Sequence, residues 1–128
     1  MRLLLDTYAL LWWLTDDPQL SATARQWLGD EGIQVLVRAA SAWEIATKQR
    51  IGQLQGIAPV VDWYSDLVAA DGFLHLPITH AHALRAGAFA AAHRDPFDRM
   101  PAAQAELESL SLLTCDTALA AFACKTVW

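Results

Sequence analysis

Four carboxylate side chains that are far apart in the chain are candidates for shared chemistry, and they are Asp6, Glu44, Asp98 and Asp116. Three of them lie just past a strand of a predicted open α/β sheet or at the start of the helix that follows it, and Asp98 lies near the start of the helix before the fourth strand. Ligands of such sheets bind at the carboxyl ends of the strands. We therefore expect the four acids to converge on one rim of the sheet.

A shared acidic rim favours a divalent cation. Four anions in one small cleft repel each other, and protonating them would require large pKa shifts. A helix N-terminus supplies only about half a positive charge. Ligands that are all oxygen favour Mg²⁺ or Mn²⁺ over zinc, and such an ion can bind phosphate and activate water. The pattern predicts metal-dependent chemistry on a phosphate ester, without distinguishing a nuclease from a small phosphatase.

Each acid also has an ordinary structural interpretation. Asp6 could cap the helix that follows it, and Asp116 could cap a turn or a short helix. Glu44 stands three residues after Ser41, which is the spacing of a capping box. The functional hypothesis therefore depends on the joint placement of the acids rather than on any one of them.

Two acids in the segment "HRDPFDRMPAAQ" compete for the same role. If Asp95 caps the helix, Pro101 falls in the helix interior, where a proline costs about 3 kcal/mol. If Asp98 caps it, Pro101 falls in the first turn, where no intrahelical donor is lost. We therefore predict a helix that begins, or restarts after a kink, around Asp98. Asp98 is then the metal-site acid and Asp95 a structural or outer-shell one.

Short apolar segments alternate with helical ones along the whole chain. Ser21 and Thr79 are predicted helix caps, and residues 60–72 are predicted to form one amphipathic helix that stops at Gly72. This alternation predicts an α/β fold with a mainly parallel sheet of four to five short strands, covered on both faces. The predicted strands are residues 2–5, 33–37, 73–76, 111–114 and 125–128.

Composition limits the function classes. The chain has 128 residues, 55% of them hydrophobic, and a formal charge of −5, so we expect one globular domain over residues 1–128. The overall negative charge does not favour binding to a phosphate backbone. A nucleic-acid role would therefore need a local source of positive charge, such as a bound metal or a small basic patch. The apolar N-terminal run is interrupted by Asp6 and is too short to span a bilayer. We expect a cytoplasmic protein with no membrane association.

The ordered motifs resemble those of the PIN-domain ribonucleases, specifically the VapC-type toxins of bacterial toxin–antitoxin pairs. One segment departs at its first residue, because the family pattern "SAASAWEI" stands here as "RAASAWEI". Two other departures are Tyr8, where relatives commonly have histidine, and Met100-Pro101, where they usually carry aliphatic residues. The matching segments are "LLLDTYALLWWL", "RAASAWEIATKQRIGQL", "LPITHAHAL", "HRDPFDRM" and "LLTCDTALAAF".

The resemblance implies a three-layer α/β/α fold and a Mg²⁺-dependent endoribonuclease, with Mn²⁺ as an alternative ion. It assigns the metal site to the same four acids. It further implies a supporting shell of hydroxyl groups on Thr7, Ser41 and Thr114, which would orient the carboxylates. Those hydroxyls could equally be caps or strand-end residues.

The resemblance also implies macromolecular partners. These are an RNA substrate, a VapB-like antitoxin that blocks the site, and a second copy of the chain. Trp12 and Trp13 are adjacent and cannot both face one core, so one is predicted to serve an interface. Candidate RNA or phosphate contacts are Lys48, Arg94 and Arg99, for which a solvated face is the alternative. A catalytically impaired PIN module that acts as a binding partner remains the competing hypothesis.

Overall fold

The computed structural model describes residues 1–90 and 96–128. Within these ranges, five parallel strands form one sheet in the order β3-β2-β1-β4-β5. The strands are β1 (Arg2–Leu5), β2 (Gln34–Arg38), β3 (Leu74–Leu76), β4 (Ser111–Leu113) and β5 (Lys125–Val127). The predicted α/β class and mainly parallel sheet are confirmed.

Helices connect the strands and cover both faces of the sheet. They are α1 (Thr7–Leu14), α2 (Ala22–Leu28), α3 (Ala39–Arg50), α4 (Ala58–Asp62), α5 (Tyr64–Ala70), α6 (His80–Ala88) and α7 (Pro96–Leu107), followed by a 3-10 helix at Thr117–Ala121. In the described part of the chain, no helix is both long and apolar enough to cross a membrane.

Alternation of side chains along β1 explains the three layers. Leu3 and Leu5 belong to the hydrophobic cluster shared with α1, α2 and α5, whereas Leu4 belongs to the cluster shared with α6 and α7. Successive side chains of a strand point to opposite faces, so an unbroken apolar run is what a strand buried on both faces requires. All three leucines are fully buried.

The order of the strands creates a switch point beside β1. The chain leaves β1 towards β2 and β3 on one side, and the segment through α6 and α7 then returns it to β4 on the other side. A crevice forms at the carboxyl ends of two neighbouring strands whose connections diverge in this way. Asp6 follows β1 directly, and Thr114 follows β4.

Two predicted helices differ from those in the structure. Ser41 does not cap α3, because the helix begins at Ala39 straight after β2, and Arg38 stands at the N-cap position without a side-chain hydrogen bond. Glu44 therefore lies in the second turn, and the predicted capping box does not form. The predicted helix over residues 60–72 is also corrected, since it is divided into α4 and α5 at Trp63. Ser21 and Thr79 cap their helices as predicted.

The predicted position of Pro101 in the first turn of α7 is wrong. The described part of α7 begins at Pro96, Asp98 lies in its first turn, and Pro101 lies inside the helix. Pro101 is buried, and this packing offsets part of the cost of its missing backbone donor. Asp95 lies outside the described residues.

Candidate metal and phosphate site

The four predicted acids line one cavity of about 410 Å³ at the switch point. They reach it from separate elements, with Asp6 following β1, Glu44 on α3, Asp98 on α7 and Asp116 following β4. The other lining residues are Thr7, Tyr8, Trp12, Arg38, Lys48, Pro101, Cys115 and Leu119. The structure therefore brings together side chains that are separated by up to 110 residues in the sequence.

Asp6 is both a helix cap and a cavity residue. One carboxylate oxygen accepts a hydrogen bond from the backbone N–H of Ala9 at 2.7 Å, and the other accepts one from the Thr114 hydroxyl. Burial raises the pKa of Asp6, and Glu44 raises it further, while Thr114, Ala9 and Arg38 partly offset the shift. A carboxylate has about four lone-pair sites, so both oxygens keep acceptor capacity towards the cavity.

Glu44 is buried and paired with Lys48 one helical turn away. The Lys48 ammonium lies 3.1 Å from a carboxylate oxygen of Glu44. It also donates to the Tyr8 hydroxyl at 3.2 Å and lies 4.8 Å from the centre of the Tyr8 ring. Burial lowers the pKa of Lys48, but the hydrogen bonds to Tyr8 and Glu44 more than compensate, and the net shift is upwards. Lys48 therefore faces the cavity rather than a solvated helix face.

The remaining two acids, Asp116 and Asp98, differ in exposure. Asp116 is exposed, accepts from the backbone N–H of Ala118 at 3.0 Å, and caps the 3-10 helix. Its own backbone N–H donates to the Thr114 hydroxyl oxygen at 3.1 Å. Asp98 is partly buried in the first turn of α7. Thr114 thus links the acid that follows β1 to the acid that follows its own strand.

The other two hydroxyls contact each other rather than a carboxylate. Thr7 and Ser41 are both buried, and their oxygens lie 3.0 Å apart. The Thr7 hydroxyl also accepts a hydrogen bond from Arg38 Nη2 at 3.2 Å. Among the three predicted supporting hydroxyls, direct contact with a site carboxylate in the described structure belongs to Thr114.

Arg38 is the site residue that sequence reasoning missed. It is the last residue of β2, it is 1% exposed, and it lines the cavity beside the acids. Burial lowers the pKa of its guanidinium, while Glu44, Asp6 and Asp98 counteract that shift by electrostatic attraction. The available signal was a charged residue at the end of an otherwise apolar strand. A strand predicted to end at residue 37 left that arginine in a connecting loop.

The carboxylate oxygens that line the cavity are chemically suited to a hard divalent cation, but they do not form an assembled coordination site. Carboxylate oxygens of four residues line the same cavity, and such oxygens suit Mg²⁺ or Mn²⁺. Over residues 1–90 and 96–128, however, no three His, Cys, Asp or Glu side chains lie close enough together to hold an ion. The carboxylates surround a space that also admits Arg38 and Lys48.

The other predicted contact residues have different positions. Arg99 donates to the carbonyl oxygens of Ala86 at 2.8 Å and Phe89 at 2.6 Å, so it joins α7 to the end of α6. Arg94 lies outside the described residues.

Trp12 lines the cavity and packs edge-on against Trp128, whereas Trp13 donates through its ring nitrogen to Asp71 at 3.0 Å. The two tryptophans face different surroundings, as their adjacency requires.

Comparison with known proteins agrees with this architecture. The model of the PIN domain family matches residues 3–124. The structure of VapBC2 from Rickettsia felis bound to a DNA fragment from its promoter is similar, with a TM-score of 0.74, 10% identity, and coverage of 100% of this chain and 99% of the other. The structure of FitAB bound to an IR36 DNA fragment has a TM-score of 0.64, 19% identity, and coverage of 98% and 93%. No curated protein matches the sequence.

Proposed function

This chain belongs to the PIN domain family, and from that premise we propose that it is a Mg²⁺-dependent endoribonuclease toxin of the VapC type. Mn²⁺ is the alternative ion. The observation that carries the proposal is the convergence of four acids from four separate elements on one cavity. The cavity lies at the switch point of a parallel sheet, which is where such folds bind their ligands.

The proposed reaction is hydrolysis of an RNA phosphodiester bond by water. Asp6, Asp98 and Asp116 would hold the metal, and Glu44 would position it or orient the water. A bound Mg²⁺ supplies Lewis acidity, which stabilises charge on the phosphate and the leaving oxygen. The Thr114 hydroxyl and the backbone N–H of Ala9 fix the orientation of the Asp6 carboxylate.

Positive side chains around the cavity would contact the RNA. The Lys48 side chain is 24% exposed and lines the cavity, and its ammonium contacts Glu44 and Tyr8. Contact with a phosphate would use its remaining donor capacity. This local cation supports an RNA substrate for a chain whose overall charge is −5. Arg94 and Arg99 are also proposed to contact the RNA, because they lie next to Asp95 and Asp98 in the sequence.

We further propose that a cognate VapB-like antitoxin and a second copy of the chain bind this protein. Support comes from the shared fold with VapBC2 and FitAB, each of which was solved bound to DNA. The exposed aromatic side chain of Trp63, which is 61% exposed, is the kind of residue that protein interfaces bury. Formation of a complex with the antitoxin would be expected to cover the acidic cavity.

The test is RNA cleavage by the purified chain. We expect cleavage with Mg²⁺, loss of cleavage in EDTA, and a loss of at least 100-fold for Asp6→Asn, because asparagine keeps the helix cap but removes the negative charge. Asp62→Asn, an exposed acid at the end of α4, is the matched control and should cleave like the wild type. Equal cleavage by Asp6→Asn would point to a contaminating nuclease and reject the proposal.

The competing hypothesis is a PIN module whose catalysis is impaired. One observation favours it, namely that Arg38 occupies space among the acids where the described residues present no assembled ion site. A wild-type chain that binds the antitoxin tightly but leaves RNA intact over the full range of Mg²⁺ and Mn²⁺ concentrations would establish this alternative.

A further inference from the structure

The environment of Arg38 is unusual for a charged side chain. The residue is 1% exposed, and one guanidinium nitrogen, Nη2, donates to the Thr7 hydroxyl at 3.2 Å. Among the described residues, Nε and Nη1 have no hydrogen-bond partner. The side chain lines the cavity that the four acids also line. A buried arginine with an incompletely bonded guanidinium thus lines a site rich in carboxylates.

Burial of this kind is stable only if a nearby negative charge compensates for it. Removal of a charged group from water costs several kcal/mol after relaxation. The attraction that offsets this cost comes from Glu44, Asp6 and Asp98. The relation is mutual, since Arg38 in turn favours the ionised form of Asp6. Arg38 is therefore part of the charge balance of the acidic cavity and does not merely lie beside it.

The formal charges of the lining residues give the net negative charge that a bound metal would neutralise. Four carboxylates and two cations, Arg38 and Lys48, line the cavity. With all six groups ionised, the lining carries two negative charges in excess, which one divalent cation would balance. Without Arg38 the excess would be three, and the attraction of the cavity for a divalent cation would increase accordingly.

We propose that Arg38 is a resident counter-ion of the acidic cavity, which competes with a divalent cation for the same carboxylates. It holds the acids together when no metal is bound, and it weakens metal binding compared with an uncharged residue at the same position. This inference rests on the proposed metal-dependent function.

The experiment measures Mn²⁺ binding by titration calorimetry on chains first stripped with EDTA. We expect Arg38→Gln to bind Mn²⁺ at least fivefold more tightly than the wild type, and Arg38→Lys, which keeps the charge, to stay close to it. Arg50→Gln removes an exposed positive charge from the end of α3, outside the cavity, and should leave the affinity unchanged. A gain smaller than fivefold for Arg38→Gln, or an equal gain for Arg50→Gln, would overturn the inference.

A second measurement covers the case in which Arg38→Gln does not fold without metal. Circular dichroism during addition of Mn²⁺ should then show recovery of the folded signal, because the ion replaces the missing counter-charge. Failure to recover at saturating Mn²⁺, with Arg38→Lys folded, would refute the role as counter-ion.

The wild-type titration separates this inference from the proposed function. Binding of Mn²⁺ by the wild type without a gain for Arg38→Gln rejects the counter-ion and leaves the proposed function standing. Binding by Arg38→Gln alone supports the counter-ion and rejects metal dependence of the wild type. Absence of binding by both chains rejects the two together.

Discussion

At the scale of single residues, a structural and a functional interpretation of the same acid can both hold. The Asp6 carboxylate uses one oxygen to cap α1 and the other to accept from Thr114, and it still lines the cavity. Asp116 likewise caps the 3-10 helix from the cavity rim. Capping does not argue against a metal-site role, because it fixes the carboxylate in the orientation that the site would need.

The Thr114 hydroxyl is the contact that we expect to matter most for Asp6. Thr114→Val keeps the shape of the side chain but removes the hydroxyl, so a carboxylate oxygen of Asp6 loses its donor and the backbone N–H of Asp116 loses its acceptor. Such a loss costs about 1–3 kcal/mol, and we expect the free energy of unfolding of the metal-free chain to fall by that amount at neutral pH, as measured by urea titration.

The matched control for this change is Thr117→Val. Thr117 is exposed at the start of the 3-10 helix, so its replacement should change the free energy of unfolding by less than about 0.5 kcal/mol. Similar losses for the two variants would show that the contact between Thr114 and Asp6 contributes nothing specific.

At the scale of elements, the strands and the helix starts capped by Ser21 and Thr79 were predictable, whereas the start of α3 was not. The apolar runs of β1 and β4 can be buried only between two layers, so hydrophobic patterning alone locates them within about one residue. The start of α3 is set instead by the end of β2, because the helix follows the strand directly. Ser41 and Glu44 have the spacing of a capping box, but the tertiary structure overrides this local preference. Arg38 was missed for a related reason, since a charged residue at the end of an apolar strand does not by itself show that it is buried among distant acids.

Pro101 is expected to lower the free energy of unfolding because it lies inside α7. As the sixth residue of the helix it has no N–H to donate, and an interior proline costs about 3 kcal/mol compared with alanine. Its buried ring contributes packing that Pro101→Ala would lose, about 1–2 kcal/mol. We therefore expect Pro101→Ala to raise the free energy of unfolding by about 1–2 kcal/mol in urea titration.

Pro59 provides the comparison for this variant. It lies in the first turn of α4, where no intrahelical donor is missing, so Pro59→Ala should not stabilise the chain. An unchanged or lower stability for Pro101→Ala would mean that its packing at the cavity outweighs the helical defect.

A bidentate ion pair joins α6 to α7, and its contribution to stability should depend on pH. The Arg85 guanidinium contacts both carboxylate oxygens of Glu106, at 2.7 and 2.9 Å, and this hydrogen bonding lowers the pKa of Glu106. A lowered pKa in the folded state gives stability that is present above the ordinary glutamate pKa and is lost as the pH falls through the folded value.

We therefore expect Glu106→Gln to lower the melting temperature at pH 7 by at most a few degrees, since the pair is partly exposed. The difference from the wild type should shrink in melting curves recorded on acidification below the ordinary glutamate pKa. A difference that stays constant from pH 7 to pH 3 would assign the effect to packing rather than to charge.

At the scale of the whole molecule, the topology rather than any local motif creates the site. The acids come from opposite ends of the chain, and the reversal of strand order beside β1 brings them together. The sequence could predict this convergence because the carboxyl ends of parallel strands share one edge. It could not predict that a buried arginine, Arg38, would line the same cavity.

A cavity of this charge should make the stability of the entire fold depend on divalent cations. An ion that binds the folded chain and not the unfolded one stabilises it, by about 1.4 kcal/mol at a concentration ten times the dissociation constant. We expect Mg²⁺ to raise the melting temperature of the EDTA-stripped wild type. Asp116→Asn should largely abolish the increase, because it removes a charge while keeping an effective helix cap. Asp62→Asn, remote from the cavity lining, should retain it. If K⁺ at matched ionic strength raised the melting temperature equally, general screening of the acidic surface would explain the effect, and the cavity would have no specific ion.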